Sequence, residues 1–161
     1  MSKSQLRDDE MDFVEPNTDA EWDAYYRLRW ERLRKPLGLP LESVREDPLE
    51  PASIHRVVKV GEQIVGAVCW IVGSRKENGG RVIYVRWRQL AIDPEFEGRG
   101  IGGALMRYRE DYARSIGAVE IVANPRVENV PWFARHGWVV VGEGVKLYDQ
   151  VESVSMVRSL R

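Results

Sequence analysis

The stretch from Arg88 to Met106 reads RQLAIDPEFEGRGIGGALM and joins an apolar strand to an amphipathic helix through a glycine-rich turn. The first-turn N–H groups of a helix have no partner within the helix and lie at the positive end of its dipole, so they attract anions. The four glycines within 98–103 lack the Cβ atoms that would keep a diphosphate away from these amides. The turn therefore predicts a site for the diphosphate of a nucleotide-type cofactor, with the side chain of Arg99 assisting.

Two other interpretations of these glycines stay open. They can serve only to make a tight turn that lets the helix pack closely against its neighbours. Gly98, Gly100 and Gly103 also satisfy the pattern G-x-G-x-x-G, which is typical of dinucleotide-binding oxidoreductases. That fingerprint normally follows its strand directly and opens the first of several βαβ units. Here residues 93–97 and about half of the chain precede it, which makes the oxidoreductase the weaker alternative.

The strand before the turn changes phase along its length. Apolar residues alternate over 83–87, but the next apolar pair, Leu90 and Ile92, is one residue out of phase. Because side chains of a strand point alternately to its two faces, this change predicts a β-bulge near Arg88-Gln89. A bulge leaves backbone groups unpaired, and a ligand can use them for hydrogen bonds.

The rest of the chain predicts a mixed sheet flanked by helices. Thr18 and Glu21 have the spacing of a capping box, and the helix that they begin ends before Pro36. A polar turn is predicted at 74–80, and a proline-rich loop or a broken short helix at 35–51. The predicted strands are 11–14, 55–60, 63–72, 81–92, 119–123, 138–141 and 151–157, and the later helices run from the glycines to Gly117 and over 130–136. We expect a solvated tail at 1–9 and a single domain at 10–161.

Composition excludes several classes of protein. The chain has 161 residues, 43% of them hydrophobic, and a formal net charge of −1, so no strong field attracts it to nucleic acid or anionic lipid. A single cysteine, Cys69, excludes an internal disulfide and argues against a metal site. Residues 1–10 lack the apolar core of a signal or membrane anchor. We expect a cytoplasmic protein without metal, nucleic-acid partner or membrane contact.

Three stretches resemble one family. Residues 88–94 and 99–106 look like the acetyl-CoA motif of the GNAT N-acetyltransferase superfamily, whose pattern Gln/Arg-x-x-Gly-x-Gly/Ala is matched by Arg99, Gly102 and Ala104. Residues 130–138, VPWFARHGW, resemble the second motif of that family, and residues 28–29 and 34–38 resemble a small single-domain subgroup. The resemblance implies a GNAT-type α/β fold with a mostly antiparallel, splayed sheet. It also implies transfer of an acetyl group from acetyl-CoA to an amine of a small molecule or peptide, and a homodimer.

The resemblance also assigns roles to individual positions. Backbone amides near the glycines would hold the diphosphate, the strand end would pair with the pantetheine arm, and the amide of Leu90 would stabilise the oxyanion. Two aromatic residues of the second motif would contact the cofactor. The implied cofactor-binding residues are Leu90, Ala91, Ile92, Gly98, Arg99, Gly100, Ile101, Gly102, Gly103, Ala104, Trp132 and Phe133.

The chain departs from the family at the general acid. Many members have a tyrosine where this chain has Phe133, which has no proton to donate. A thiolate with an ordinary pKa near 8.5 is a good leaving group, so water could protonate it instead. A module that binds coenzyme A without catalysis is therefore an alternative. Glu46, Asp47, Tyr148 and Asp149 are acidic or phenolic candidates for the general base, but the sequence does not place them and we assign none.

Other polar residues favour structural roles. Cys69 is predicted to be a buried hydrophobe, and His55 and His136 are predicted to be structural. The basic residues within 27–35 are predicted to form a solvated helix face, with a rim for an acidic acceptor or the coenzyme A 3′-phosphate as the alternative.

Overall fold

The computed structural model describes residues 3–161. Its helices are α1 (Asp19–Leu33), α2 (Glu42–Arg45), α3 (Ile101–Ser115) and α4 (Val130–Arg135). Its strands are β1 (Asp12–Val14), β2 (Ile54–Val60), β3 (Gln63–Glu77), β4 (Gly80–Ile92), β5 (Ala118–Ala123), β6 (Val139–Glu143) and β7 (Val154–Ser159). The predicted order of elements is confirmed.

The strands form one mixed sheet of seven, in the order β1-β2-β3-β4-β5-β7-β6. Strands β4 and β5 pair in parallel, whereas the pairs β1–β2, β2–β3, β5–β7 and β6–β7 are antiparallel. The predicted α/β class with a mostly antiparallel sheet is confirmed.

The described chain divides into two compact units. The first comprises the residues up to Trp70 together with Gln89–Arg109, and the second comprises Ile71–Arg88 and Glu110–Arg161. Strands β3 and β4 and helix α3 each contribute residues to both units. The single domain over 10–161 stays a prediction.

The core of the first unit lies between α1 and the sheet. Tyr25 and Leu28 of α1 pack with Val57 of β2, Ala67 of β3 and Ala91 of β4. Thr18 caps α1 by accepting a hydrogen bond from the amide of Glu21, 3.1 Å away. The Glu21 carboxylate accepts from the backbone amide of Asn17 at 2.9 Å, at the start of the helix.

In the second unit, β4 pairs with β5, and Phe133 and Trp138 pack against Trp87. Residues Ile83–Arg86 pair with β5, and the register shifts between Ile83 and Tyr84. The bulge predicted near Arg88-Gln89 stays a prediction. Within β4, Val85, Trp87 and Ala91 are buried and share one parity, while Leu90 and Ile92 are half-buried on the other.

Two local predictions differ from the structure. The turn predicted at 74–80 is shorter, because β3 continues to Glu77 and only Asn78 and Gly79 turn the chain, both with positive φ. The polar side chains of this part of β3 alternate in burial, and Arg75 bonds Glu120 of β5, so they fit a partly solvated strand. In the predicted solvated tail, Leu6 is buried. Within residues 3–161, no helix is long and apolar enough to span a membrane.

Candidate active site

The end of β4 and the start of α3 lie together in the first unit. The amide of Asp93 donates to the carbonyl of Val65 at 2.9 Å, which ties the end of β4 to β3. The Asp93 carboxylate then accepts from the amide of Glu95 at 2.9 Å and caps a single 3₁₀ turn, Pro94–Phe96. A chain held at these points leads directly into the glycine-rich loop.

The loop backbone alternates between two conformations. Gly98 has φ +76° and Gly100 has φ +92°, while Arg99 between them is outside the positive-φ region. All described peptide bonds are trans. Alternation between positive and negative φ is typical of the concave anion sites called nests, in which successive N–H groups point to one side, and we call residues 98–100 the nest. Helix α3 begins at Ile101, so its first-turn amides follow the nest without intrahelical partners.

The glycine-rich loop is exposed, whereas the helix that follows it is anchored in the core. Gly98 and Gly100 are exposed, and a Cβ added to Gly98 would meet no atom within 4 Å. Ile101 and Ala104 are buried instead, and the Ile101 side chain would lie 3.5 Å from a Cβ on Gly66 of β3. Helix α3 is thus anchored through its apolar face.

Three further cofactor-binding candidates lie where β4 ends. Ala91 is buried in the core, and Leu90 and Ile92 are half-buried. The register pairs of β4 with β5 cover Ile83–Arg86, before this segment. In the chain, only residues 93–97 separate these three residues from the glycine-rich loop. Their pairing with a pantetheine arm and the role of the Leu90 amide stay predictions.

Arg99 points its side chain toward the N-terminal segment. Its Nε donates to the carbonyl of Ser4 at 3.0 Å, and its guanidinium lies 5.1 Å from the centroid of the Phe96 ring. The guanidinium therefore has protein partners beside the loop. Its assistance to a bound diphosphate stays a prediction.

The second motif forms α4 and an aromatic cluster in the second unit. The Phe133 side chain is 8% exposed, and its ring centroid lies 5.8 Å from that of Trp87 and 5.1 Å from that of Trp138. Trp132 is half-buried and packs edge-on against Phe133. His136 follows the last residue of α4, and its Nδ1 lies 2.8 Å from the Trp132 carbonyl; its structural role stays a prediction.

Sequence reasoning missed a buried polar network on α1. Arg29 is fully buried, with its guanidinium 2.5 Å from the carboxylate of Glu50 and Nε 3.1 Å from the side-chain oxygen of Gln89. Arg34 is also buried and bonds Asp47 at 3.0 Å. The predicted solvated face is therefore wrong for these two arginines, because each has a carboxylate partner inside the unit.

Two aromatic groups complete this network. The Tyr25 hydroxyl lies 2.6 Å from Nδ1 of His55, and both side chains are buried. Burial raises the pKa of the Tyr25 hydroxyl far above its usual value of 10.0, so the group stays neutral. The structural prediction for His55 is confirmed, and Cys69 is buried as predicted.

The general-base candidates divide between the units. Asp47 bonds the buried Arg34 guanidinium at 3.0 Å, which favours a structural role. Glu46 follows α2 in the same unit. Tyr148 and Asp149 lie in the second unit with positive φ, 52° and 57°. These placements do not select a base, and none is assigned.

Comparison with known proteins gives a consistent result. A model described as the acetyltransferase (GNAT) family matches residues 17–138. The chain is 31% identical over 145 residues to an uncharacterized N-acetyltransferase, YjcF, of Bacillus subtilis (strain 168), covering 90% of this chain and 96% of the relative.

Solved structures share the fold at low identity. An aminoglycoside 6′-N-acetyltransferase complexed with coenzyme A superposes with a TM-score of 0.71 at 14% identity, covering 94% of this chain and 97% of that one. The ribosomal-protein-S18-alanine N-acetyltransferase from Escherichia coli gives 0.67 at 13% identity, covering 93% and 94%. One of these proteins is named for a small-molecule acceptor and the other for a protein acceptor, so the shared fold does not indicate which kind this chain uses.

Proposed function

Because this chain belongs to the GNAT family of acetyltransferases, we propose that it transfers an acetyl group from acetyl-CoA to an amine of a small molecule or peptide. The observation that carries the proposal is the nest at Gly98–Gly100 followed by the open N-terminus of α3. Both features present backbone donors to an anion.

The loop would hold the coenzyme A diphosphate through its backbone. The amides of Arg99–Gly103 would be the donors, since the Ala104 amide already donates to the Gly100 carbonyl at 3.1 Å. Each hydrogen bond to a charged oxygen contributes roughly 1.5–3 kcal/mol. Several such bonds exceed the ~0–1 kcal/mol of one exposed ion pair, so backbone geometry contributes more than the Arg99 charge. The sign of charge, the number of donors and the space at Gly98 all fit a diphosphate.

The end of β4 would hold the reactive part of the donor. Acetyl-CoA supplies an acyl group activated as a thioester. The backbone of Leu90–Ile92 would pair with the pantetheine arm, and the Leu90 N–H would donate to the thioester oxygen where negative charge develops during attack by the amine. Proximity and this donor would supply most of the rate enhancement.

Phe133 favours one alternative to catalysis. Its ring is buried among tryptophans and has no proton for a departing thiolate. A protein that binds coenzyme A without turnover would have the same loop, so a turnover assay must separate the two functions. The dinucleotide-binding oxidoreductase has no further support, since the sheet is mostly antiparallel and lacks successive parallel βαβ units.

The binding site is tested by Gly102→Glu. A carboxylate in the first turn of α3 would repel the diphosphate and its bulk would obstruct the amides, so we expect affinity for acetyl-CoA to fall at least 100-fold. Calorimetric titration with acetyl-CoA, CoA and NAD measures this. Gly142→Glu is the matched control, because it adds the same side chain to exposed β6 where a Cβ meets nothing within 4 Å.

The titration and a turnover assay give distinct outcomes. Normal acetyl-CoA binding by Gly102→Glu, or no binding by the wild type, would exclude the proposed site. If the wild type binds acetyl-CoA, a panel of amines is screened for release of free thiol. Release with an amine supports the transferase, whereas binding without turnover of any amine favours the binding module.

A further inference from the structure

A segment before the first strand lies along the cofactor loop. We call residues Lys3–Asp8 the N-terminal strap. Lys3 donates to the carbonyls of Pro94 and Glu95 at 3.2 and 3.1 Å. At the far end of the strap, Asp8 lies 3.1 Å from the guanidinium of Arg107 on α3. The strap therefore follows the loop from the 3₁₀ turn to the first turns of α3.

The central contacts of the strap are with the glycine-rich loop. The side-chain amide of Gln5 donates to the carbonyl of Gly98 at 2.7 Å, and the backbone amide of Leu6 donates to the carbonyl of Arg99 at 2.9 Å. Leu6 is buried and anchors the segment. A Cβ on Gly100 would lie 2.7 Å from Oε1 of Gln5, so the strap also packs directly against the loop backbone.

These contacts fix the direction of two amides. In a trans peptide the C=O and N–H groups point in opposite directions. The carbonyls of Gly98 and Arg99 are both bound on the strap side, so the N–H groups of Arg99 and Gly100 point away from it. Those two N–H groups are the donors of the nest.

We propose that Gln5 and Leu6 are positioning residues for coenzyme A, which hold the nest in its binding conformation by bonding its carbonyls. The inference rests on the proposed function of the loop. An exposed glycine-rich loop has many accessible conformations, and a ligand that must order it binds more weakly. The strap orders the loop in the absence of ligand, so that binding does not have to supply the free energy of ordering, and it does so without contacting the ligand.

Gln5→Met tests the inference. Methionine keeps the length of the side chain and removes the donor to Gly98. We expect the Kd for CoA, measured by calorimetry, to rise about three- to tenfold, the range that corresponds to one lost neutral hydrogen bond. Leu6→Ala, which loosens the anchor of the strap, should raise the Kd in the same direction.

Two controls separate positioning from general stability. Gln63→Met makes the same substitution at an exposed position of β3 in the same unit and should leave the Kd unchanged. The thermal unfolding midpoint of Gln5→Met without ligand should match the wild type. Once an acceptor is known, the KM for acetyl-CoA should rise while kcat at saturating acetyl-CoA and the KM for the amine stay constant.

The outcomes distinguish this inference from the proposed function. If wild-type protein binds CoA and both strap variants bind within twofold of it, the strap does not position the loop, while the proposed function stands. If wild-type protein does not bind CoA, the proposed function fails, and this inference fails with it. A raised Kd with an unchanged unfolding midpoint supports the inference.

Discussion

By its resemblance to the second motif of the family, Phe133 is predicted to stand where many members have a tyrosine. Its ring contacts Trp87, Trp138 and Trp132 and is nearly excluded from solvent. A single oxygen atom is thus the difference between this side chain and a proton donor. A tyrosine at this position would keep the packing of the ring and add a proton donor, so one substitution separates the effect on catalysis from the effect on packing.

For Phe133→Tyr we expect affinity for acetyl-CoA to stay within twofold of the wild type and turnover to rise. The added hydroxyl would protonate the departing thiolate, and a positioned acid typically contributes 10²–10⁴-fold, so an increase of about tenfold or more is the expected direction and scale. Thiol release under saturating acetyl-CoA measures turnover. Phe13→Tyr, in the first unit, controls for the added hydroxyl. Loss of acetyl-CoA binding would instead mean that Phe133 packs against the cofactor.

Helix α1 carries arginines in two different environments. Arg29 lies in the interior with the Glu50 carboxylate, whereas Arg32 pairs with Glu97 at the surface. A buried ion pair that loses one partner leaves an uncompensated charge in a low-dielectric site, while a surface pair is screened by water. The same side chain on the same helix should therefore contribute very differently to stability.

For Arg29→Met we expect the free energy of unfolding to fall by about 3–5 kcal/mol. The matched substitution Arg32→Met should change it by less than about 1 kcal/mol, because that ion pair is exposed. Urea titration followed by circular dichroism measures both values. Equal effects of the two substitutions would contradict the assignment of Arg29 to a buried network.

The sequence predicts elements better than it predicts contacts between distant residues. The loop and the start of α3 follow from glycine conformation and helix-end chemistry, which act over a few residues. The strap contact of Gln5 with Gly98 spans 93 residues and has no local signal. Arg29 did have one, because it shares a helical stripe with Trp22, Tyr25, Tyr26 and Leu33, all packed in or on the core. The other basic residues within 27–35 led instead to the prediction of a solvated helix face.

At the scale of the whole molecule, ion pairs make the stability of the fold depend on pH. Side-chain hydrogen bonds from Lys59 lower the pKa of Glu21, and those from Arg161 and Arg75 lower the pKa of Glu77. Burial of Glu110 opposes ionisation, but its bonds with Arg114 and Arg158 outweigh this and lower its pKa. A carboxyl whose pKa is lower in the folded state stabilises the fold above its unfolded value and loses that contribution as pH falls.

Stability should therefore be greatest between about pH 5 and 9. On the acid side it declines below the ordinary carboxyl value of 4.5, as folded-state carboxylates such as Glu77 are protonated. On the alkaline side the raised pKa of Tyr25 keeps its hydroxyl neutral in the fold, while the unfolded chain ionises near 10.0, so stability falls above that pH. Urea unfolding at pH 3, 7 and 11 checks both limits. Tyr25→Phe should flatten the alkaline decline, and a stability unchanged down to pH 3 would contradict the acid limit.

The strap has a practical consequence for how the protein is produced. Lys3 bonds the carbonyls of Pro94 and Glu95, so a purification tag joined shortly before Lys3 lies next to this contact. A bulky or highly charged fusion there would compete with the strap for the loop and would alter ligand affinity in preparations meant to be wild type. Recombinant protein for binding studies should carry its tag after Arg161, or have an N-terminal tag removed before titration.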